Sequence, residues 1–177
     1  MRNNLLVVLF VAFVFTSCEQ LSKLTQFDMP FTASVTIPKS TPINLPFNLP
    51  TPEIETNSAS FFSSKNVNTD LIDKITLKKL ELSVTSPTNG NFNFLKTIEI
   101  YISADGLNDV KIASLENIPS NSAMPLQLNV DTLNLKPYIL KDKFALKVNA
   151  TTDELITTDY EVDVKTTFFV DAKIAGL

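Results

Sequence analysis

Residues 160–174 read Tyr-Glu-Val-Asp-Val-Lys-Thr-Thr-Phe-Phe-Val-Asp-Ala-Lys-Ile. Tyr160, Val162, Val164, Thr166, Phe168, Val170, Ala172 and Ile174 occupy every second position, with Glu161, Asp163, Lys165, Thr167, Asp171 and Lys173 between them. Successive side chains point to opposite faces only in a β-strand, whereas a surface helix needs a period near 3.6. At about 3.3 Å per residue such a strand outruns the usual side of a sandwich. The spacing therefore predicts a bend or bulge near Thr166–Thr167, with the two halves pairing different neighbours.

The same alternation recurs upstream. Phe31, Ala33, Val35 and Ile37 face one way and Thr32, Ser34 and Thr36 the other. Ile98, Ile100, Ile102 and Ala104 form a second inward row, and Val110–Leu115 a short strand. Met124, Leu126, Leu128 and Val130 alternate, with Pro125 marking an edge or a strand start; Phe144, Leu146, Val148 and Ala150 alternate again. Between residues 70 and 86, Ile75 and Leu77 keep one phase while Leu80, Leu82 and Val84 keep the opposite one. A β-bulge across Lys78-Lys79 would produce that slip; a helix over Leu71–Lys79 is the alternative. Asn89-Gly90, Asp105-Gly106 and Thr151–Glu154 carry turn chemistry.

Three stretches depart from the pattern. In Pro38–Pro52, prolines recur at 38, 42, 46, 50 and 52, while Ile43, Leu45, Phe47 and Leu49 alternate with polar or proline positions. Proline donates no ladder hydrogen bond, so this is either an edge segment packed by its apolar side or an exposed polyproline-type element offered to a partner. Glu53–Thr69 reads as a loop with Phe61-Phe62 tucked inward. Asp131–Leu140 is the best helix candidate, with Asp131 as cap and Pro137 limiting it to about a turn. Seven to nine strands and at most a short helical turn give an all-β fold: an antiparallel β-sandwich, immunoglobulin-like or similar to late-embryogenesis-type domains, with barrel-like closure second.

The start of the chain has a different character. Arg2 precedes the unbroken apolar run Leu5–Phe15 (LLVVLFVAFVF), followed by Thr16, Ser17 and Cys18, the one cysteine. A basic tip, a short apolar core and small residues are the parts of a secretory signal peptide. Eleven apolar residues fall short of the roughly 20 that a spanning helix needs. Phe15-Thr16-Ser17-Cys18 resembles a bacterial lipobox, with Phe15 where leucine is usual. The resemblance implies a diacylglyceryl thioether on Cys18 and cleavage just before it, with further acylation such as palmitate. A plain signal peptide leaving a free thiol is the alternative. Glu19 stands where aspartate would retain an enteric lipoprotein in the inner membrane, which favours the outer membrane. The organisation read from this is signal peptide 1–17, lipid anchor and tether 18–30, and β-sandwich 31–177.

Composition narrows the function. Without residues 1–17 the chain has 160 residues, 14 basic against 19 acidic, a net charge of −5. An acidic chain with no basic cluster argues against a nucleic-acid partner. With no histidine, serine–histidine and cysteine–histidine nucleophiles and the usual zinc cage are out of reach. No glycine loop cradles phosphate, since Gly90, Gly106 and Gly176 are the only glycines. Asp159, Glu161 and Asp163 share one strand face; a wetted face is the ordinary reading and a cation site the alternative. Asp105–Asp109 lacks the order of a calcium loop and reads as a turn. No catalytic residue, cofactor or metal is expected. The expected function is a non-catalytic lipoprotein of the outer membrane or cell envelope, held to the membrane through Cys18 and acting as a structural or interaction module with an envelope protein. A binder or carrier of a hydrophobic ligand is the alternative, and a carbohydrate hydrolase with two facing carboxylates the third reading.

Overall fold

The computed structural model describes residues 25–173. Cys18, the leader and Ile174 lie outside the described residues. The described chain is an all-β antiparallel sandwich. Its strands are β1 (Gln26–Ile37), β2 (Pro46–Pro50), β3 (Ile54–Glu55), β4 (Ile72–Ser86), β5 (Leu95–Ser103), β6 (Val110–Glu116), β7 (Leu126–Gln127), β8 (Asn129–Val130), β9 (Lys143–Thr152) and β10 (Tyr160–Ala172). Two short helices accompany them, α1 (Ser58–Ser64) and α2 (Lys136–Ile139), with a 3-10 turn at Thr69–Leu71. One sheet has the order β1-β10-β4-β7 and the other β2-β9-β5-β6-β8, with β3 also on β9.

The alternating rows become the core. Val162, Val164, Phe168 and Val170 from β10, Ile75, Leu80 and Leu82 from β4, and Ile98, Ile100, Leu146 and Val148 from the opposite sheet are all buried in one cluster. Phe168 sits at its centre. Its ring lies 5.8 Å from that of Phe31 on β1 and 6.0 Å from that of Phe144 on β9, and the latter two are 5.1 Å apart, all edge to face. Three rings from both sheets thus lock the layers in the geometry aromatic pairs prefer.

The bulge is where the phase slip put it, on β4. Thr167 faces Lys79 while Phe168 faces Leu77, so Lys78 is the extra residue there, and two further shifts, at Thr85 and Asp73, lie toward the ends of the pairing. Lys78 and Lys79 are both exposed, and Ile75 and Leu82 both reach the core. The register shift at Lys78 lies opposite Thr167–Phe168, beside the place expected for a bulge, with the extra residue on β4; the expectation that the two halves of β10 pair different neighbours is corrected. β10 pairs β1 on one side and β4 on the other along its whole length, because β4 absorbs the mismatch.

Other departures are local. Leu71–Lys79 is not a helix; β4 starts at Ile72. Residues 26–30, read as part of a tether, belong to β1, which begins at Gln26. Pro30 is tolerated within that strand because its missing N–H points away from β10. Residues 53–69 hold β3 and α1 rather than a plain loop; Phe62 is buried, while Phe61 packs beside Phe27 at 5.9 Å. Asp131 caps nothing. α2 starts five residues later, where the Asn134 side chain accepts the Lys136 N–H. The row Met124–Val130 splits: Leu126 pairs β4 and Val130 pairs β6, so the chain changes sheets at Leu128.

One core position is imperfect. Thr166 is buried and its Oγ1 finds no partner. An unpaired buried hydroxyl costs of order 1–3 kcal/mol. Thr166→Val is therefore expected to raise stability by about 1 kcal/mol, read as a higher urea midpoint with unchanged slope.

Candidate interaction surface

The chain enters β1 at Gln26, opposite Asp171 near the end of β10, so the first and last described residues share one end of the sandwich. At the other end Ile37 faces Tyr160. Two loops meet there, 38–45 and 153–159. Ser40 N–H donates to Ile156 O (2.9 Å) and Asn44 N–H to Thr152 O (2.7 Å). Lys39 N–H donates to Asp159 Oδ1 (2.7 Å), and Thr152 Oγ1 to Pro42 O (2.9 Å). Buried Thr41 and Ile156 pin the pair from inside. Ser40 and Asn44 hold φ of 65° and 56°, a region that costs an L-residue of order 1 kcal/mol and persists only where surroundings impose it.

This pinned tip exposes aliphatic side chains. Leu155 is 62 % exposed, Leu45 59 % and Ile43 41 %. Scattered exposed leucines are ordinary, but grouped ones mark contact surfaces. Asp153, Glu154, Asp159 and Lys39 are the exposed charges on these loops. The packed-edge reading of Pro38–Pro52 would bury all four of Ile43, Leu45, Phe47 and Leu49. Phe47 and Leu49 do reach the core as half-buried residues of β2, whereas Ile43 and Leu45 do not. β2 is an edge strand, as the prolines required. Leu155 carries no sequence signal, since its loop position is set by contacts made far along the chain.

The acidic candidates are spent on structure. Asp163 accepts from Ser34 Oγ (2.8 Å), Glu161 from Thr36 Oγ1 (2.9 Å) and Asp159 from Lys39 N–H. Among the described residues no group of three or more possible ligands could hold a metal ion. Asp105–Asp109 is a turn with Gly106 at φ 72°. Asp109 is paired with Lys147 at 2.6 Å.

That ion pair has a pH signature. The Lys147 ammonium, then the Ser103 hydroxyl, hold the Asp109 carboxyl below its ordinary value. A depressed carboxylate adds stability above the ordinary value and loses it as pH falls through the depressed one. Both partners are over a third exposed, so the contribution is small and screened by salt. Lys147→Met is expected to return Asp109 toward the ordinary aspartate range in an NMR titration.

One open groove and one internal cavity bear on ligand binding. A groove of about 690 Å³ runs between Glu53, the turn Ser103–Gly106 and Lys141–Ala145. It is open and lined by charges of both signs, with Lys143 paired to Glu53 and Glu55. Inside the sandwich a cavity of about 10 Å³ lies among Val35, Phe92, Val148 and Val164. That is the scale of one water molecule. No described helix is long and apolar enough to cross a membrane.

No family description matches the chain, and no curated protein matches it. Among solved structures the chain is similar to one of Desmodium yellow mottle tymovirus, at 13% identity, covering 85% of this chain and 84% of that one, with a TM-score of 0.31. A likeness at that level carries no weight for fold or function.

Proposed function

We propose that this chain is a lipid-anchored, non-catalytic module of a bacterial outer membrane or cell envelope, and that it works by protein contact. The observation that carries the contact reading is the hydrogen-bonded tip with Ile43, Leu45 and Leu155 outside, at the end of the sandwich remote from Gln26. Covering such side chains gains about 1.5–3 kcal/mol each when burial is complete. The anchor rests on the leader: several acyl chains on Cys18, at about 0.8 kcal/mol per buried CH₂, would hold the chain to a bilayer nearly irreversibly. The small core cavity supports a contact role over carriage of a greasy ligand. The paired state of Asp159, Glu161 and Asp163 lends support over hydrolysis, which needs two carboxylates free to face a substrate.

The test has two readouts. Mass spectrometry of the N-terminal peptide from cells should find Cys18 as the first residue, carrying acyl chains; Cys18→Ser should move the protein out of the membrane fraction. A bare, water-soluble thiol form would end the anchoring reading. A photo-cross-linker at position 155 should then capture one protein that the same group at Lys96 misses. Equal capture from both sites would end the role given to the tip.

A further inference from the structure

The sandwich leaves its sheet edges in unequal states. β7 and β8, which end the two sheets on one side, have two residues each. On the other side lie β2 and β1. Just past β2 the N–H of Thr51 bonds to Leu146 O, in line with the β2–β9 register, so the odd residues of β2 bond to β9 and its even ones turn their backbone groups outward. The even residues are Pro46, Asn48 and Pro50. Two of the three outward positions therefore have no N–H, which blocks pairing as proline does on edges.

β1 obeys the same parity. Ala172 N–H bonds to Thr25 O, and the register continues unbroken to Ile37. Its odd residues bond to β10, and its even residues turn their backbone groups outward. Pro30 blocks one such position, and Met29–Phe31 border a groove under Glu55–Asn57 and α1. Beyond it, Thr32, Ser34 and Thr36 are all exposed, and among the described residues nothing pairs with their main-chain N–H and C=O groups. Thus Phe31–Ile37 is a free edge of seven residues, closed at each end by Pro30 and Pro38.

We propose that this edge binds the same edge of a second copy, antiparallel, about a two-fold axis at Ser34. Self-pairing fits the segment in one register. Ser34 then meets Ser34 of the other copy, and each Thr32 meets the opposite Thr36. All three free positions are used, and about six main-chain hydrogen bonds form, two for each directly opposed pair. Shifting by two residues strands one position and drives a strand end toward proline. No residue from Phe31 to Ile37 is charged, so no like charges stand directly opposite each other on the seam; the nearest carboxylates, Asp163 and Glu161, are set back on β10 and accept from Ser34 and Thr36. β2, beneath it, cannot join because of its prolines, so one sheet continues across the pair and the other stops. The interface is isologous, as two-fold contacts are. The seam needs no lipid. If anchors are present they lie at opposite ends of the joined sheet, and the pair rests along the bilayer with both tips facing sideways.

The register sets the experiment. Hydrogen-bonded opposite residues have Cα atoms about 5.5 Å apart, inside the disulfide range of roughly 4.4–6.8 Å. Full-length chain carrying Cys18→Ser, purified in detergent, receives one new cysteine and a mild oxidant. Ser34→Cys should give a disulfide-linked dimer on a non-reducing gel. Thr36→Cys alone should give at least tenfold less, because its counterpart lies four residues along, about 13 Å away; Thr32→Cys mixed with Thr36→Cys should restore the dimer. A lysine-directed cross-linker should trap a wild-type dimer that Ser34→Pro abolishes, the N–H lost there being one β10 does not use. A folded Ser34→Cys chain that stays monomeric, equal linkage from positions 34 and 36 alone, or a dimer that survives Ser34→Pro would each overturn the proposal. Ser34→Cys is nearly isosteric at an exposed site, so its arm stands even if the proline variant fails to fold.

Discussion

Replacing Phe168 with alanine is expected to remove about 3–5 kcal/mol of folding stability. The ring is fully buried, and it touches aromatic partners in both sheets, Phe31 and Phe144. Its loss removes apolar burial and leaves a hole that neither sheet can close, because β10 is held by strands on both sides. A domain of this size has about 5–15 kcal/mol in total, so the change consumes a large share. The measurement is urea unfolding followed by far-ultraviolet circular dichroism, which should show a much lower midpoint with little change in slope. Phe61→Ala is the comparison: that ring is only half-buried, and its loss should cost well under half as much. Equal losses for the two would mean that the inter-sheet ring cluster is not the centre of the core.

The second large effect separates two deletions four residues or fewer apart on β4. Deleting Lys78 removes the bulge residue. The remaining Ile75-Thr76-Leu77-Lys79-Leu80-Glu81-Leu82 alternates without a break, so every apolar side chain keeps its side of the sheet. The variant loses the Lys78–Asp28 ion pair, 2.7 Å and largely exposed, which is worth about 0–1 kcal/mol, plus some local twist. It should still unfold cooperatively. Deleting Glu81 makes Leu80 and Leu82 adjacent. Both are now buried, and after the deletion one of them must face solvent, with everything beyond it inverted. At about 1.5–3 kcal/mol for each large side chain turned out, that variant should fail to fold. Calorimetry on the pair decides it: a cooperative transition in the second, or none in the first, would contradict the bulge as the device that keeps β4 in phase.

Both predictions rest on features that could be read in the sequence to different degrees. The phase slip between Leu77 and Leu80 announces a bulge because period two has no other way to absorb an extra residue while both flanks stay buried. The place of β1 at an open edge leaves no such trace. Thr32, Ser34 and Thr36 would be equally exposed on a central strand, since sheet neighbours cover backbone groups and not the outer face. Helix α1 escaped for a related reason: Ser58–Ser64 is short and serine-rich, and it is helical because Phe62 has a pocket beside Phe27, a contact made across about thirty-five residues. At the tip, Ile43 and Leu45 keep the rhythm of the strand that follows them. Yet the left-handed turns at Ser40 and Asn44 and the ties to Thr152 and Ile156 lift them off the core.

By itself the sequence determined that the chain is built from strands, which residues of each strand face inward, where β4 carries its extra residue, and that catalysis by histidine is absent. These follow from side-chain chemistry and a two-residue period, both of them local. Only the tertiary structure decided which strands neighbour which, that β1 keeps an open edge while β2 is sealed, and that Ile43, Leu45 and Leu155 lie exposed on two loops at one end. Those depend on backbone hydrogen bonds between segments from under twenty to more than a hundred and forty residues apart, and the identity of a residue does not encode which distant carbonyl its N–H will find.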